Sequence, residues 1–192
     1  YFYIFDGSNT FYYGTTVLST QQWYHLAVSR DGSGNIRLFV NGELESTNSN
    51  SYSLSNSNQP NPARIGGCKI NNSGSGIQKS FDGFISNLRV IKGTTLYTSN
   101  FNPSSTPLTA VTNTKLLCCK SKTSVTDADV TPGTIVNNGG ATVSTSNPFA
   151  AGSVIFDGNG DYLTIPSSSD LTFGTGNFTV EMWVYADNFN NR

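Results

Sequence analysis

The sequence predicts an all-β protein, an antiparallel two-sheet sandwich. Three observations predict it. Apolar residues alternate at period two in several runs, most cleanly in Phe178-Thr179-Val180-Glu181-Met182-Trp183-Val184, and no run of useful length holds the 3.6-residue period of an amphipathic helix. Turn-forming residues separate these runs, and Asn41-Gly42 between two apolar stretches is the strongest short hairpin signal a sequence carries. Polarity comes from Ser, Thr, Asn and Gly: charged residues make up 12% of the 192, against about 25% in an average globular chain. With aromatics at 12% the chain has enough bulk to build a core.

Tyr3-Ile4-Phe5 and Phe11-Tyr12-Tyr13 read as strands around a turn at Asp6-Gly7-Ser8-Asn9. Gln22 to Arg30 is the next strand, with Leu26 and Val28 on one face and His25, Ala27 and Ser29 on the other. A turn at Asp31–Asn35 leads to a strand at Ile36–Val40, and after Asn41-Gly42 a further strand begins at Glu43. Residues 48–62 and 71–76 are polar loops flanking a short strand at 63–67. Phe81 to Ile91 is a long strand. Read as an unbroken pleat, it puts Phe84, Leu88 and Val90 on one face and Ile85, Asn87 and Arg89 on the other, unless a bulge shifts the phase. Residues 92–109 are turns around Leu96-Tyr97, since Pro103 and Pro107 block regular structure. Thr114 to Cys119 is a strand, 120–152 a linker with weak β structure, and 153–165 a strand, turn and strand before the alternating run at 178–185.

A formal net charge of -1 gives no drive toward nucleic acid or anionic membrane, and no apolar run reaches the roughly 20 residues of a membrane-spanning helix. Three cysteines do not pair into a disulfide framework. Cys118 and Cys119, adjacent in a strand, are expected on opposite faces as small buried thiols, which suits assembly in a reducing compartment.

Three segments resemble the laminin-G-like (concanavalin-A-like) jelly-roll family, in the form that recurs in tandem in phage tail and fibre proteins. They are Trp23-Tyr24-His25-Leu26-Ala27-Val28-Ser29-Arg30 with Leu38-Phe39-Val40-Asn41-Gly42, then Phe81 to Val90 with Lys92-Gly93-Thr94 and Leu96-Tyr97-Thr98, then Phe156-Asp157-Gly158 to Asp161-Tyr162-Leu163 with Phe178 to Val184. In that family, segments like 153–187 open a domain and segments like 23–42 and 81–98 close one. The resemblance therefore implies the closing part of one jelly roll at 1–119, a linker at 120–152 and the opening strands of the next at 153–192. A circularly permuted single domain gives the same order. The opening strands are expected to complete a sandwich, either this chain's own or that of a neighbouring copy.

No catalytic set is assigned. Sugar-cleaving relatives of this fold use two carboxylates on one sheet. Glu181 lies on the outward face beside Trp183 without an acidic neighbour on its strand, and is expected to be solvated or cross-strand paired. Glu43 and Glu45 alternate and are expected to share a face, but no aromatic platform accompanies them. His25 is the only histidine and is read as a strand residue. A zinc site lacks its cysteine pairing. Calcium is the better metal candidate: Asp157, Asn159 and Asp161 give an Asp-x-Asn-x-Asp spacing of hard oxygen ligands in a Gly-rich turn, with Asp82 as a contributor if its turn lies nearby. The same residues also suit an ordinary side-chain-capped turn. Trp183 and Trp23, with Tyr24, Tyr12 and Tyr13, are the aromatics expected to be exposed for stacking on a sugar. Three functions follow: a structural or adhesive repeat on a virion or extracellular surface whose partners are neighbouring copies, a calcium-dependent module for cell-surface glycans, and a polysaccharide hydrolase.

Overall fold

The structure, a computed structural model, describes residues 3–5, 11–49, 51, 53–54, 62–68 and 79–189. The expected turn at 6–9, the 71–76 loop and the greater part of the 48–62 loop lie outside the described residues. The described residues form sixteen strands, in chain order β1 Tyr3–Phe5, β2 Phe11–Tyr13, β3 Trp23–Arg30, β4 Asn35–Val40, β5 Glu43–Ser49, β6 Ala63–Ile65, β7 Gly67–Cys68 and β8 Lys79–Ser80. Then come β9 Asp82–Lys92, β10 Thr114–Cys118, β11 Ala128–Val130, β12 Val136–Asn138, β13 Thr142–Ser144, β14 Ser153–Asp157, β15 Tyr162–Ile165 and β16 Phe178–Asn188. The described residues contain one 3-10 turn, Ser169–Leu171, and no α-helix.

All pairing is antiparallel. The large sheet runs β11-β10-β9-β16-β3-β4-β5, with β14 on β9 and β13 on β14; the small sheet is β12-β15-β6. Strands β14, β15 and β16 therefore pair into the same two sheets as β3, β6 and β9, within one chain, while β1-β2 and β7-β8 form separate two-stranded sheets. The expected linker contributes the three-residue strands β11, β12 and β13.

Alternation decides which side chains fill the space between the sheets. Leu26, Val40, Ile85, Leu88, Val90 and Val184 of the large sheet meet Ile65, Leu163 and Ile165 of the small one. Burying each such side chain contributes about 1.5–3 kcal/mol. A second cluster of Tyr12, Val28, Ile36, Leu38 and Phe178 extends this core toward β4. Asn41 and Gly42 both hold positive φ, 52° and 83°, as a two-residue hairpin of strand-compatible twist requires. A Cβ on Gly42 would strike the Phe101 carbonyl, so this turn also admits the loop that crosses it.

Strand β9 corrects the expected face assignment. Its partner β16 aligns Glu181 with Arg89 but Trp183 with Ser86, so one residue is extra on β9. Asn87, at φ 54°, absorbs it. Phe84 therefore lies on the opposite face from Leu88 and Val90, and Ile85 joins them in the core. The bulge falls where the other edge of β9 passes from β14, which pairs with 82–85, to β10, which pairs with 88–91. Its residues secure both incoming chains: Ser86 Oγ donates to the Gly152 carbonyl at 2.8 Å, and the Asn87 amide donates to the Cys119 carbonyl at 3.1 Å.

The cysteine expectation is corrected in part. Both thiols are buried, but Cys119 stands past the end of β10 at φ 59°, so its side chain swings back and its sulfur lies 3.6 Å from that of Cys118 rather than on the opposite face.

Candidate functional site

The outer face of the large sheet, turned away from the small sheet, carries the chemistry-bearing residues. Glu181 on β16 stands between Arg89 on β9 and the neighbours of Ala27 on β3. It is 1% exposed and paired across the strands with Arg89, so of the two expected alternatives, solvated or cross-strand paired, the structure has the second. Arg89 Nε and Nη2 both donate to Glu181 Oε1, at 2.9 and 2.6 Å. Tyr97 Oη donates to Oε2 at 2.8 Å, and His25 Nε2 lies 3.1 Å from the same oxygen. A carboxylate only accepts, so Nε2 carries the His25 proton toward it. Burial pushes the Glu181 carboxyl up, but the His25 hydrogen bond and the Arg89 charge outweigh it and hold it below the usual range. The Tyr97 phenol is pushed well above its usual range, by burial first and then by the Glu181 charge. His25, fully buried, leaves Nδ1 without a hydrogen-bond partner.

The cover over this cluster is residues 93–109, which form no strand. Besides Tyr97, Arg89 Nη1 holds the Thr109 carbonyl at 2.7 Å, Ser29 Oγ holds the Tyr97 carbonyl at 2.5 Å, and the Leu108 amide donates to Asn87 Oδ1 at 2.9 Å. Tyr97 and Phe101 stack with centroids 3.6 Å apart, and Phe101 closes edge-on against Phe39 and His25. A carboxylate whose two oxygens accept four hydrogen bonds under a packed loop has no route to act as a base or nucleophile toward an outside substrate.

The sequence-predicted residues are dispersed. Trp183 is half-buried, edge-on to His25 and Phe149 at 5.2 Å from each, and its indole nitrogen is buried without a partner. Trp23 is half-buried elsewhere on the outer face, 5.6 Å from Tyr185 and 6.3 Å from Phe84, which lie 5.4 Å from each other. Tyr24 and Tyr12, expected to be exposed, are buried in the core because they fall on inner-face positions; Tyr13 is exposed. Glu43 and Glu45 part company, because Leu44 pairs with Phe39 and Ser46 with the adjacent Leu38 on β4, a bulge that leaves Glu45 unmatched. Glu45 accepts from Thr15 and Thr16, and Glu43 from Asn100.

Asp161 is 3% exposed and turned under its own turn, where Oδ1 accepts from the Gly140 amide and Oδ2 from the Asp157 amide. Asp157 is exposed and accepts from the Asn159 amide at 2.7 Å. That leaves Asp157 and Asn159 as the solvent-facing side chains of this turn. Asp82 pairs with Asp157 across β9 and β14. Among the described residues no three His, Cys, Asp or Glu side chains converge as metal ligands.

A cleft of about 620 Å³ opens between the sheets, walled by Tyr24, Leu26, Phe81, Ile85, Met182 and Val184, with Arg64 and Lys79 also reaching it. Its described lining is mostly apolar, with Ser19, Arg64, Lys79 and Ser80 as the polar side chains. No helix of the described residues is long and apolar enough to cross a membrane.

A laminin-G-type family model, that of the concanavalin A-like lectin/glucanases superfamily, matches residues 1–96, half of the chain. The chain belongs to this superfamily, and the all-β antiparallel sandwich is the fold it carries. That membership supports a lectin-like or structural module. No curated protein and no solved structure matches the chain.

Proposed function

We propose that the chain is a non-catalytic structural or adhesive repeat of a larger virion or surface fibre protein, working on the outside of a virion or cell, with neighbouring copies of itself as its first partners. The supporting observation is the closure of the outer face. Glycoside hydrolysis needs two carboxylates about 5–9 Å apart flanking an open bond. Here the carboxylate at the centre of that face is Glu181, consumed by Arg89, Tyr97 and His25 beneath residues 93–109. Incubation with a panel of polysaccharides is expected to release no product. Release that disappears in Glu181→Gln would overturn the reading.

A specific observation favours a second reading, a glycan-binding module. Trp23, Phe84 and Tyr185 form a half-buried aromatic cluster on the outer face, suited to stacking against a sugar ring. Calcium enters this reading through Asp157 and Asn159, since Asp161 is engaged by backbone amides. A glycan array run with calcium and with a chelator tests it. Hits lost in Trp23→Ala place the sugar on the aromatic cluster. Hits that survive Trp23→Ala but vanish in Asp157→Ala or with chelator place it at the 157–161 turn.

A further inference from the structure

The three strands of residues 153–189 make no pairing with one another. β14 pairs with β13 and β9, β15 with β12 and β6, and β16 with β9 and β3. Every one of those partners lies N-terminal to residue 145, so every pairing crosses the short segment 145–152. The side-chain ties cross it too: Glu181 to Arg89, His25 and Tyr97, and Lys115 to Asp170 at 3.2 Å. On the other side, the described strands before 145 pair among themselves as separate ribbons, chiefly β3-β4-β5 and β9-β10-β11, and among the described strands β16 is the one that pairs with both. One part of the chain is thus an incomplete sheet with a vacant central lane, and the other is a set of strands that fills it.

We propose that residues 153–189 of one copy complete the sheets of a second copy, with 145–152 as the hinge, so that copies join by exchanging β14, β15 and β16. Exchange keeps every strand pairing and every ion pair and alters only the hinge, so its cost lies in the hinge and in the lost freedom of two chains. The hinge suits this. It contains Pro148, and Asn147 at its middle is bonded within the hinge, Asn147 Nδ2 to the Thr145 and Ala151 carbonyls at 2.6 and 2.7 Å and the Phe149 amide to Asn147 Oδ1 at 2.8 Å. Its longer-range ties are Phe149 edge-on to Trp183, itself on an exchanged strand, and Gly152, held at the far end by the Lys120 carbonyl and Ser86 Oγ. Reciprocal exchange gives a closed dimer, and one-way exchange, in which each copy completes the next, gives an open chain of copies. The inference deepens the proposed role as a self-associating repeat and rests on it.

The test uses two full-length proteins, both with Cys68→Ser, since Cys68 is the exposed thiol. One carries Val28→Cys and the other Val180→Cys, two positions that face each other across β3 and β16. They are unfolded together, refolded together at high concentration and oxidised, and the linked peptides are read by mass spectrometry beside the native mass by light scattering. The expected result is a covalent link between positions 28 and 180 on different chains, with a mass of two or more copies. Multimers without that link overturn the exchange and leave association through outer surfaces standing. Monomers at every concentration overturn both the exchange and self-association.

Discussion

Glu181 shows what the alternation of a strand can and cannot say. Its place opposite Val180 and Met182 is legible in the sequence, and the side chain does leave the core between the sheets. What the sequence hides is a second buried layer beyond it, because residues 93–109 carry no periodic signal and reach the sheet through Tyr97, Phe101 and Leu108. A signal for the layer exists in hindsight: His25, Arg89 and Glu181 each sit mid-strand in a chain with few charges. Removing one partner of a buried ion pair costs about 3–5 kcal/mol. Glu181→Gln is expected to lower stability toward the small end of that range, since its amide still accepts one hydrogen bond, and urea unfolding at neutral pH measures it. The pH dependence has a definite sign. Glu181 is held below its unfolded value near 4.3, so its stabilisation is complete above that pH and is lost as pH falls through the lower folded value. The wild-type urea midpoint is expected to fall on acidification below about pH 4, and the Glu181→Gln midpoint to fall less. Equal slopes would remove Glu181 from the acid response.

At the scale of the element, β9 is the informative strand. Its existence and length are readable from Phe81 to Ile91, but its phase is not, because a bulge is set by two chains competing for one edge rather than by the strand's own pattern. Asn87 combines a left-handed backbone with two side-chain bonds, from Leu108 N and to Ser86 Oγ. Asn87→Gly keeps the conformation and loses those bonds, an expected cost of about 1–3 kcal/mol. Asn87→Val loses them and also forces a β-branched residue to positive φ, a further cost of about 1–3 kcal/mol. The order wild type, Gly, Val in thermal midpoint checks this, and equal midpoints for Gly and Val would mean that the backbone relaxes. The Asn41-Gly42 hairpin, by contrast, was fully legible, since its turn is decided by two adjacent residues. Strands of three residues, such as β11 and β12, were not, for they are too short to show a period.

For the whole molecule, the individual strands were readable but their partners were not: nothing local to Phe178–Val184 states that it will lie between residues 82–92 and 23–30. That pairing is set by the closing of the large sheet. It also makes a prediction about cooperativity. Because β16 is the described strand that pairs with both ribbons of the large sheet, and residues 93–109 tie the same ribbons together by side chains, calorimetry is expected to show one unfolding transition with matching calorimetric and van't Hoff enthalpies. Two resolved transitions would mean that the ribbons hold independently. The central lane of β16 bears on mechanics as well. A pull along this strand cannot peel it from an edge, since hydrogen-bond ladders to β9 and β3 grip it on both sides over most of Phe178–Asn188 and must shear together. A strand gripped on both sides in this way yields to tension only when both ladders give together.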